Sequence, residues 1–328
     1  MKRKAVLTLI VVMGISGLLL SAADAAWKPQ KSIELVIGSE AGGENDRIGR
    51  AVCLGLTSNK LIEGVVNPVN KPGGSQGVAS AYVESRKGDP HFLFLSADSW
   101  VAGQVAKGNV DFMKGFQPIL RFLVAYNVFS TRVNSPLKSM ADVKERLKKE
   151  GPASVSFGFA TAAGNPNHIG VANVGLAAGV EPAMMKAIVF KVGTAASTAV
   201  VSGHVDIAVS SMGSALPLVQ AGKLRYLGVG APKRLGGIMK DIPTLKEEGM
   251  DVDTGIGYTI HAPAGITDEQ RAFWENVINR AVDTKEFSAV SEENSWIVDK
   301  IPSSRLPAHF ADVYNSTRKV LLSLGLLK

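Results

Sequence analysis

Apolar positions recur along this chain in short runs that alternate with stretches of helical spacing. Ile33 to Ile37, interrupted only by Glu34, predicts a buried strand, and Ile48, Ala51, Val52, Gly55 and Leu56 then repeat at the period of a helix. Leu61 to Val69 is a second apolar run, after which Val78, Ala81 and Tyr82 begin a second helix. His91 to Leu95 predicts a third strand, with a polar loop over Ser96 to Ser99 behind it. Ile119 to Phe129, broken by Arg121, Tyr126 and Asn127, is longer than an ordinary strand, so it is expected to leave one domain and enter another.

Beyond that crossing, Ser139 caps a helix that runs to about Glu150, and Ser154 to Phe159 is a strand. A helix from His168 to Ala178 is closed by Gly179. Ala187 to Phe190 and Val205 to Val209 predict strands on either side of a helix from Ala195 to Val201. Leu224 to Val229 repeats the look of the Ile119 stretch and is the expected return crossing. A strand at Gly257 to Ala262 follows, then a helix with the capping box Thr267/Gln270, and a last helix from Pro307. Such alternation predicts βαβ units, mostly parallel sheets flanked by helices, and loops gathered at the strand C-terminal ends. The expected domains are residues 26–125 with 231–328, and residues 126–230.

The N-terminus does not fit this pattern. Met1-Lys2-Arg3-Lys4 is basic, Ala5 to Leu20 holds no charge, and Ala23-Asp24-Ala25 has the small-x-small form of a cleavage site. Residues 1–25 therefore read as a secretory signal peptide cut near Ala25, which places the mature chain in the periplasm. Taking Lys2, Arg3, Lys4 and Asp24 from 36 basic and 29 acidic residues leaves 33 and 28, a net charge of +5. That charge is mild and dispersed, and no aromatic or glycine-rich recognition pattern accompanies it, so no nucleic-acid partner is expected. Cys53 is the single cysteine, so no disulfide forms within the chain and the core must hold it together.

The chain lacks the usual catalytic signatures: no Gly-x-Ser-x-Gly, no His-Glu-x-x-His, no P-loop and no Cys-x-x-Cys. His91, His168, His204, His261 and His309 lie far apart, with no metal-ligand spacing, so neither metal nor cofactor is expected. Five short polar loops follow strands instead: Ser39 to Asp46, Lys71 to Gly77, Ser96 to Ser99, Ala160 to His168, and Lys191 to Ser197. In the first, Gly42-Gly43 frees the backbone and Asn45 or Asp46 is the expected N-cap, so that free amides can converge on an anion. His168 stands where a glycine loop becomes a helix and can donate to an anion. Loops from two domains that face one another form a cleft suited to a small polar ligand. The competing readings are an exported hydrolase using Ser99 or Ser211 with His168, and an exported subunit that presents its ligand to a membrane receptor.

Several motifs in order carry a family likeness. They are Gly42, Gly43, Asp46 and Arg50, then Asn70-Lys71-Pro72-Gly73-Gly74-Ser75-Gln76-Gly77, then Asp111-Phe112 and Phe116-Gln117-Pro118-Ile119. Gly203-His204-Val205-Asp206, Ala221-Gly222-Lys223-Leu224-Arg225, Asp241 to Gly249 and Ala262-Pro263-Ala264-Gly265 follow. Together they resemble the solute-binding proteins of tripartite tricarboxylate transporters, the TctC-like or Bug family. The resemblance implies a periplasmic, two-domain binding protein of the type II, Venus-flytrap kind with two hinge crossings. Such a protein is not an enzyme; it acts as a monomer that hands a small carboxylate or amino-acid-like ligand to membrane transporter subunits. Carried over by position, it implies ligand contacts from Ser39, Glu40, Ala41, Gly42, Gly43 and Asp46, and in the second domain from Thr161, Ala163, Gly164, Asn165 and His168, with Val192, Gly193 and Thr194. Asp98, Ser99 and Ser210, polar residues that follow or end strands, are expected at the ligand as well. Ser39-Glu40-Ala41 stands where the family commonly has an aromatic, a small residue and proline, and Ser210 where it commonly has an acid.

Overall fold

A computed structural model describes residues 27–327. The expected signal peptide, residues 1–25, lies outside them. Among the described residues no helix is long and apolar enough to cross a membrane.

The first sheet begins with β1 (Ile33–Ile37), α1 (Glu44–Ser58), β2 (Val66–Asn70), α2 (Gly77–Glu84) and β3 (Phe92–Ala97). In β1 the side chains of Ile33, Leu35 and Ile37 enter one buried cluster and Val36 another, as the two-residue strand period requires. Glu34, the polar interruption, accepts a hydrogen bond from Tyr82 Oη at 2.9 Å. Gly49 lets α1 lie close on β1, because a methyl group there would fall 2.5 Å from Ile37 Cδ1. Behind β3 the structure departs from expectation. Asp98 and Ser99 are not in a loop but in the first turn of α3 (Asp98–Ala106).

β4 (Phe116–Arg132) spans 17 residues and joins the two sheets. Its Phe116–Tyr126 part pairs with a strand of the first sheet, and Asn127 to Arg132 pair with two strands of the second. The second sheet follows with α4 (Met140–Glu150), β5 (Ser156–Ala160), α5 (Pro166–Ala178), β6 (Lys186–Phe190), α6 (Gly193–Val201) and β7 (Ile207–Ser211). Next come α7 (Met212–Gln220) and β8 (Leu224–Val229). β8 stays in the second sheet beside β4 and is not the return crossing. The chain remains there because Val229 bridges to Thr244 and because Leu245, Met250 and Val252 join Phe129, Phe157 and Phe159 in one core. It returns at β9 (Gly255–Pro263), which starts beside Tyr126. α8 (Asp268–Ala281), α9 (Lys285–Glu293), β10 (Ile297–Pro302) and α10 (Leu306–Ser323) complete the first unit. Ala172 of α5 shares a core with Phe310, Tyr314 and Leu321, so α10 touches the second unit as well.

Strand directions fix where the loops gather. β1, β2 and β3 are parallel, and β9 opposes both β3 and β4, so β4 points the same way as β1 to β3. The C-terminal ends of β1 to β3 therefore lie on the side toward the second sheet. β5, β6 and β7 are parallel to one another and oppose β4, so their C-terminal ends point back toward the first sheet. Loops from both sheets face each other across the Tyr126–Asn127 crossing.

Candidate functional site

The helices α1 and α5 begin in the same way on opposite sides of that cleft. Gly42 holds φ +78° and Gly164 holds φ +79°, the left-handed region that favours glycine. In each case the residue four places on reaches back to the glycine amide: Gly42 N donates to Asp46 Oδ2 at 2.8 Å, and Gly164 N to His168 Nδ1 at 3.0 Å. The expected cap of α1 is displaced. Gly43 is the N-cap, without a side-chain hydrogen bond, and Asp46 lies in the first turn where its carboxylate folds back to Gly42. Arg50 Nε and Asn70 Nδ2 take the rest of that carboxylate, and Asn70 also holds Ser39 O at 3.0 Å. Burial alone would raise the Asp46 pKa, but these hydrogen bonds from Arg50, Gly42 and Asn70 hold it below the usual range. Asp46 thus shapes the loop, its oxygens already taken. Among the described residues the Glu44 and Asn45 amides have no acceptor.

At α5, Asn165 is the cap and accepts from His168 N at 3.0 Å. The His168 ring stacks on Phe159 at 4.6 Å, and burial lowers its pKa. The neutral ring, assigned from its hydrogen bonds, accepts at Nδ1 and carries its proton on Nε2. Gly164 backs onto the C-terminal segment, since a methyl group there would fall 3.0 Å from Leu321 Cδ2. Thr161 and Ala163 are exposed.

α6 and α7 begin side by side. Val192 caps α6 without a side-chain bond, and a methyl group on Gly193 would fall 2.8 Å from Ser214 Oγ and 3.5 Å from Ser210 Cβ. Ser211 and Ser214 hydroxyls lie 3.0 Å apart, and buried Ser210 donates to Ser211 O. Val192 and Thr194 are exposed at this edge. Arg47 connects the group to the other sheet. Its Nη1 donates to Gly42 O at 3.1 Å, while Nη2 would lie 3.0 Å from a methyl group on Gly213. Gly42, Arg47, Gly213, Ser214 and Gly193 therefore form a continuous path across the cleft. Sequence reasoning missed Arg47 and Ser214 as candidate site residues and named Ser211 only as a hydrolase nucleophile; the signal for Arg47 was its place one helical turn beyond Gly43.

Other expected residues sit apart from that path. Glu40 and Ala41 are exposed, and the Glu40 carboxylate has no partner among the described residues, only its carbonyl being used. Ser99 Oγ accepts from Gln76 Nε2 at 2.6 Å. Neither Ser99 nor Ser211 hydrogen-bonds to His168 among the described residues, so the serine–histidine arrangement of a hydrolase is not formed. Asp98 accepts from Gly257 N at 2.7 Å, and burial pushes its carboxyl up to about 6 despite that bond and the Arg121 guanidinium. It lines a cavity of about 260 Å³ with Pro166, Gly170, Asp253, Thr254 and Thr317, between α3, α5 and α10.

A glycine turn on each side of the cleft, with Arg47 reaching from the first turn to the start of α7, is an arrangement suited to holding a small solute. The sequence pattern described as the tripartite tricarboxylate transporter family receptor (TctC) matches residues 48–308. The chain belongs to this family. A family relative, the UPF0065 protein in the gbd 5′ region of Cupriavidus necator, is 24% identical over 92% of this chain and 89% of its own. The family fold is also that of MatC from Rhodopseudomonas palustris with bound malate, at a TM-score of 0.75 and 18% identity, covering 89% of this chain and 99% of that one. An R. palustris protein, Rpa4515, with adipate matches at a TM-score of 0.75 and 20% identity, covering 90% and 98%. The chain is accordingly a receptor of the TctC class, a solute-binding and not an enzyme class.

Proposed function

We propose that this receptor captures a small carboxylate in the periplasm, between its two sheets, and presents it to the membrane subunits of a tripartite transporter. The observation that carries this reading is the convergence of α5, α6 and α7. All three start at strand ends that face the first sheet, and none has an acidic residue in its first turn. Their positive dipole ends, with the first-turn amides of α6 and α7 uncapped by any side chain, favour an anion. The structural neighbours with malate and with adipate carry ligands of that kind.

The contacts would come from Gly193, Thr194, Ser210 and the Asn165 to His168 turn in the second lobe, and from Ser39 to Gly43 in the first. We place the lobe boundary at the Tyr126–Asn127 and Thr254–Gly255 crossings, and count residues 231–254 with the second lobe because they pack in its core. A thermal-shift series with malate, adipate and other small carboxylates tests the reading. A ligand at 100 times its dissociation constant stabilises the folded state by about 2.7 kcal/mol. A series in which no carboxylate raises the melting temperature would overturn it.

A further inference from the structure

The two sheets end in four edge strands, β2, β10, β8 and β6, and three of them are closed to a further strand. In β2, Pro68 removes a donor. β10 pairs with β4 through a register shift and carries Asp299, Lys300 and Pro302. β8 is covered where Val229 N donates to Pro243 O and Leu245 N to Val229 O. β6 has none of these devices. Its residues Lys186 to Phe190 pair in unbroken register with β5 alone, and no other hydrogen bond reaches their backbone among the described residues. The backbone donors and acceptors on its outer side are therefore open to a partner strand.

The edge is apolar on both faces. Ile188 and Phe190 are half-buried in the cluster that α6 forms, and Ala187 and Val189 take the other face by the two-residue period. Val189 is 44% exposed. Beside Phe190 a shallow groove of about 550 Å³ follows α6, lined by Thr194, Ala195, Thr198 and Ala199. A strand laid on β6 would set alternate side chains in that groove while its main chain extends the ladder, the geometry of strand addition. Lys186 and Lys191 bracket the strand; both are exposed, and neither has an ion pair among the described residues. Antiparallel pairing of two copies would bring the Lys186 end of one edge to the Lys191 end of the other. The lysines thus oppose a second copy and favour a strand with acidic ends.

We infer that β6 and the α6 groove form a docking edge for an extended, acid-flanked apolar segment of the transporter's membrane subunits, which adds to the second sheet as its outermost strand. This inference rests on the reading that the receptor presents its solute to those subunits, and it gives the place. β6 runs directly into the Val192-Gly193-Thr194 turn, where solute contacts are proposed. A subunit seated on the edge would therefore meet the strand whose end carries a solute-binding turn.

The test uses the full mature chain and the detergent-purified membrane subunits of the source organism's tripartite transporters, with docking read by surface plasmon resonance and solute binding by thermal shift. Val189→Glu puts a charge in the middle of the exposed edge and should abolish detectable docking. Lys186→Glu, at the end of β6 remote from the cleft, should weaken docking roughly tenfold or more, because an attraction becomes a repulsion. Both variants should keep the parent's solute-induced rise in melting temperature. Added salt should weaken docking of the parent more than that of Lys186→Glu. Docking of both variants at the parent's affinity overturns the edge and leaves the presentation reading in place. A parent chain that binds a carboxylate but none of the membrane subunits overturns docking and presentation together, and solute capture stands. If Val189→Glu does not fold, as judged by circular dichroism, Lys186→Glu decides alone. A parent that sediments as a dimer while Val189→Glu sediments as a monomer assigns the edge to a second copy and overturns the membrane-subunit partner.

Discussion

Asp98 shows how a single buried residue can be costly to the fold. Its folded pKa of about 6 exceeds an unfolded value of about 3.9, so the folded chain binds that proton more tightly than the unfolded chain does. Stability therefore falls as pH rises between those two values and is lowest, on this account, once the carboxyl is ionised. The deficit at pH 7 is on the order of 3 kcal/mol, from a shift of about two pH units. Asp98→Asn keeps an oxygen to accept the Gly257 N–H and removes the charge. It should be more stable than the parent in urea at pH 7, with the advantage gone near pH 4. Equal stability at pH 7 would mean that a neighbour such as Arg121 already compensates the ionised carboxylate. The same residue shows the reach of sequence reasoning: Asp98 was expected at the site, but not in the first turn of a helix.

At the scale of elements, the turn before α1 was legible because Gly42-Gly43 between a strand and a helical repeat has few other uses. The structure separates the two glycines. Gly42 at φ +78° needs the freedom, whereas Gly43 at φ −72° has a backbone open to any residue and is restricted by Glu40 O, 3.2 Å from an added methyl group. Gly42→Ala should then cost roughly 1–2 kcal/mol in the left-handed region, and Gly43→Ala clearly less. Urea unfolding of the two variants checks the order, and the reverse order would mean that the turn relaxes around residue 42. Four elements were not seen in the sequence, each for a reason. In α3, Trp100, Val101, Ala102, Gln104 and Val105 are all buried, so it shows no polar face to mark a helical period. In α7, Pro217 and Gly213 mask the pattern. α9 buries only Phe287 and Ser291 in nine residues, and β10 pairs only at an edge of β4, too little burial to leave a periodic signal. The site was half legible for a related reason. Glycine turns announce themselves locally, but Arg47 reaching Gly213 depends on two sheets meeting, which no local pattern records.

At the scale of the molecule, the proposed capture of a solute between the lobes calls for them to move as units about the crossings. The crossing is narrow. Gly230 N donates to Asn127 O at 3.0 Å, Thr254 N donates to Gly230 O at 2.8 Å, and a methyl group on Gly230 would fall 2.0 Å from Thr254 Oγ1. Three segments therefore pack at one point, and small backbone rotations there would swing the loops of one lobe toward those of the other. α10 limits the swing, since Phe310, Tyr314 and Leu321 on α10 pack with Trp100 of α3 on one side and Ala172 of α5 on the other. The motion best suited to this arrangement is a hinge that opens the cleft on the face away from α10 while the α10 contacts persist. Small-angle scattering should then give a smaller radius of gyration with saturating ligand, chosen as the compound that raises the melting temperature most. Gly230→Ala forces Thr254 aside at the hinge and should reduce that contraction more than it reduces folding stability, which circular dichroism would monitor. An unchanged radius in the parent chain at saturating ligand would mean that the ligand enters a cleft already closed, and a full contraction in Gly230→Ala would place the hinge elsewhere on the crossing strands.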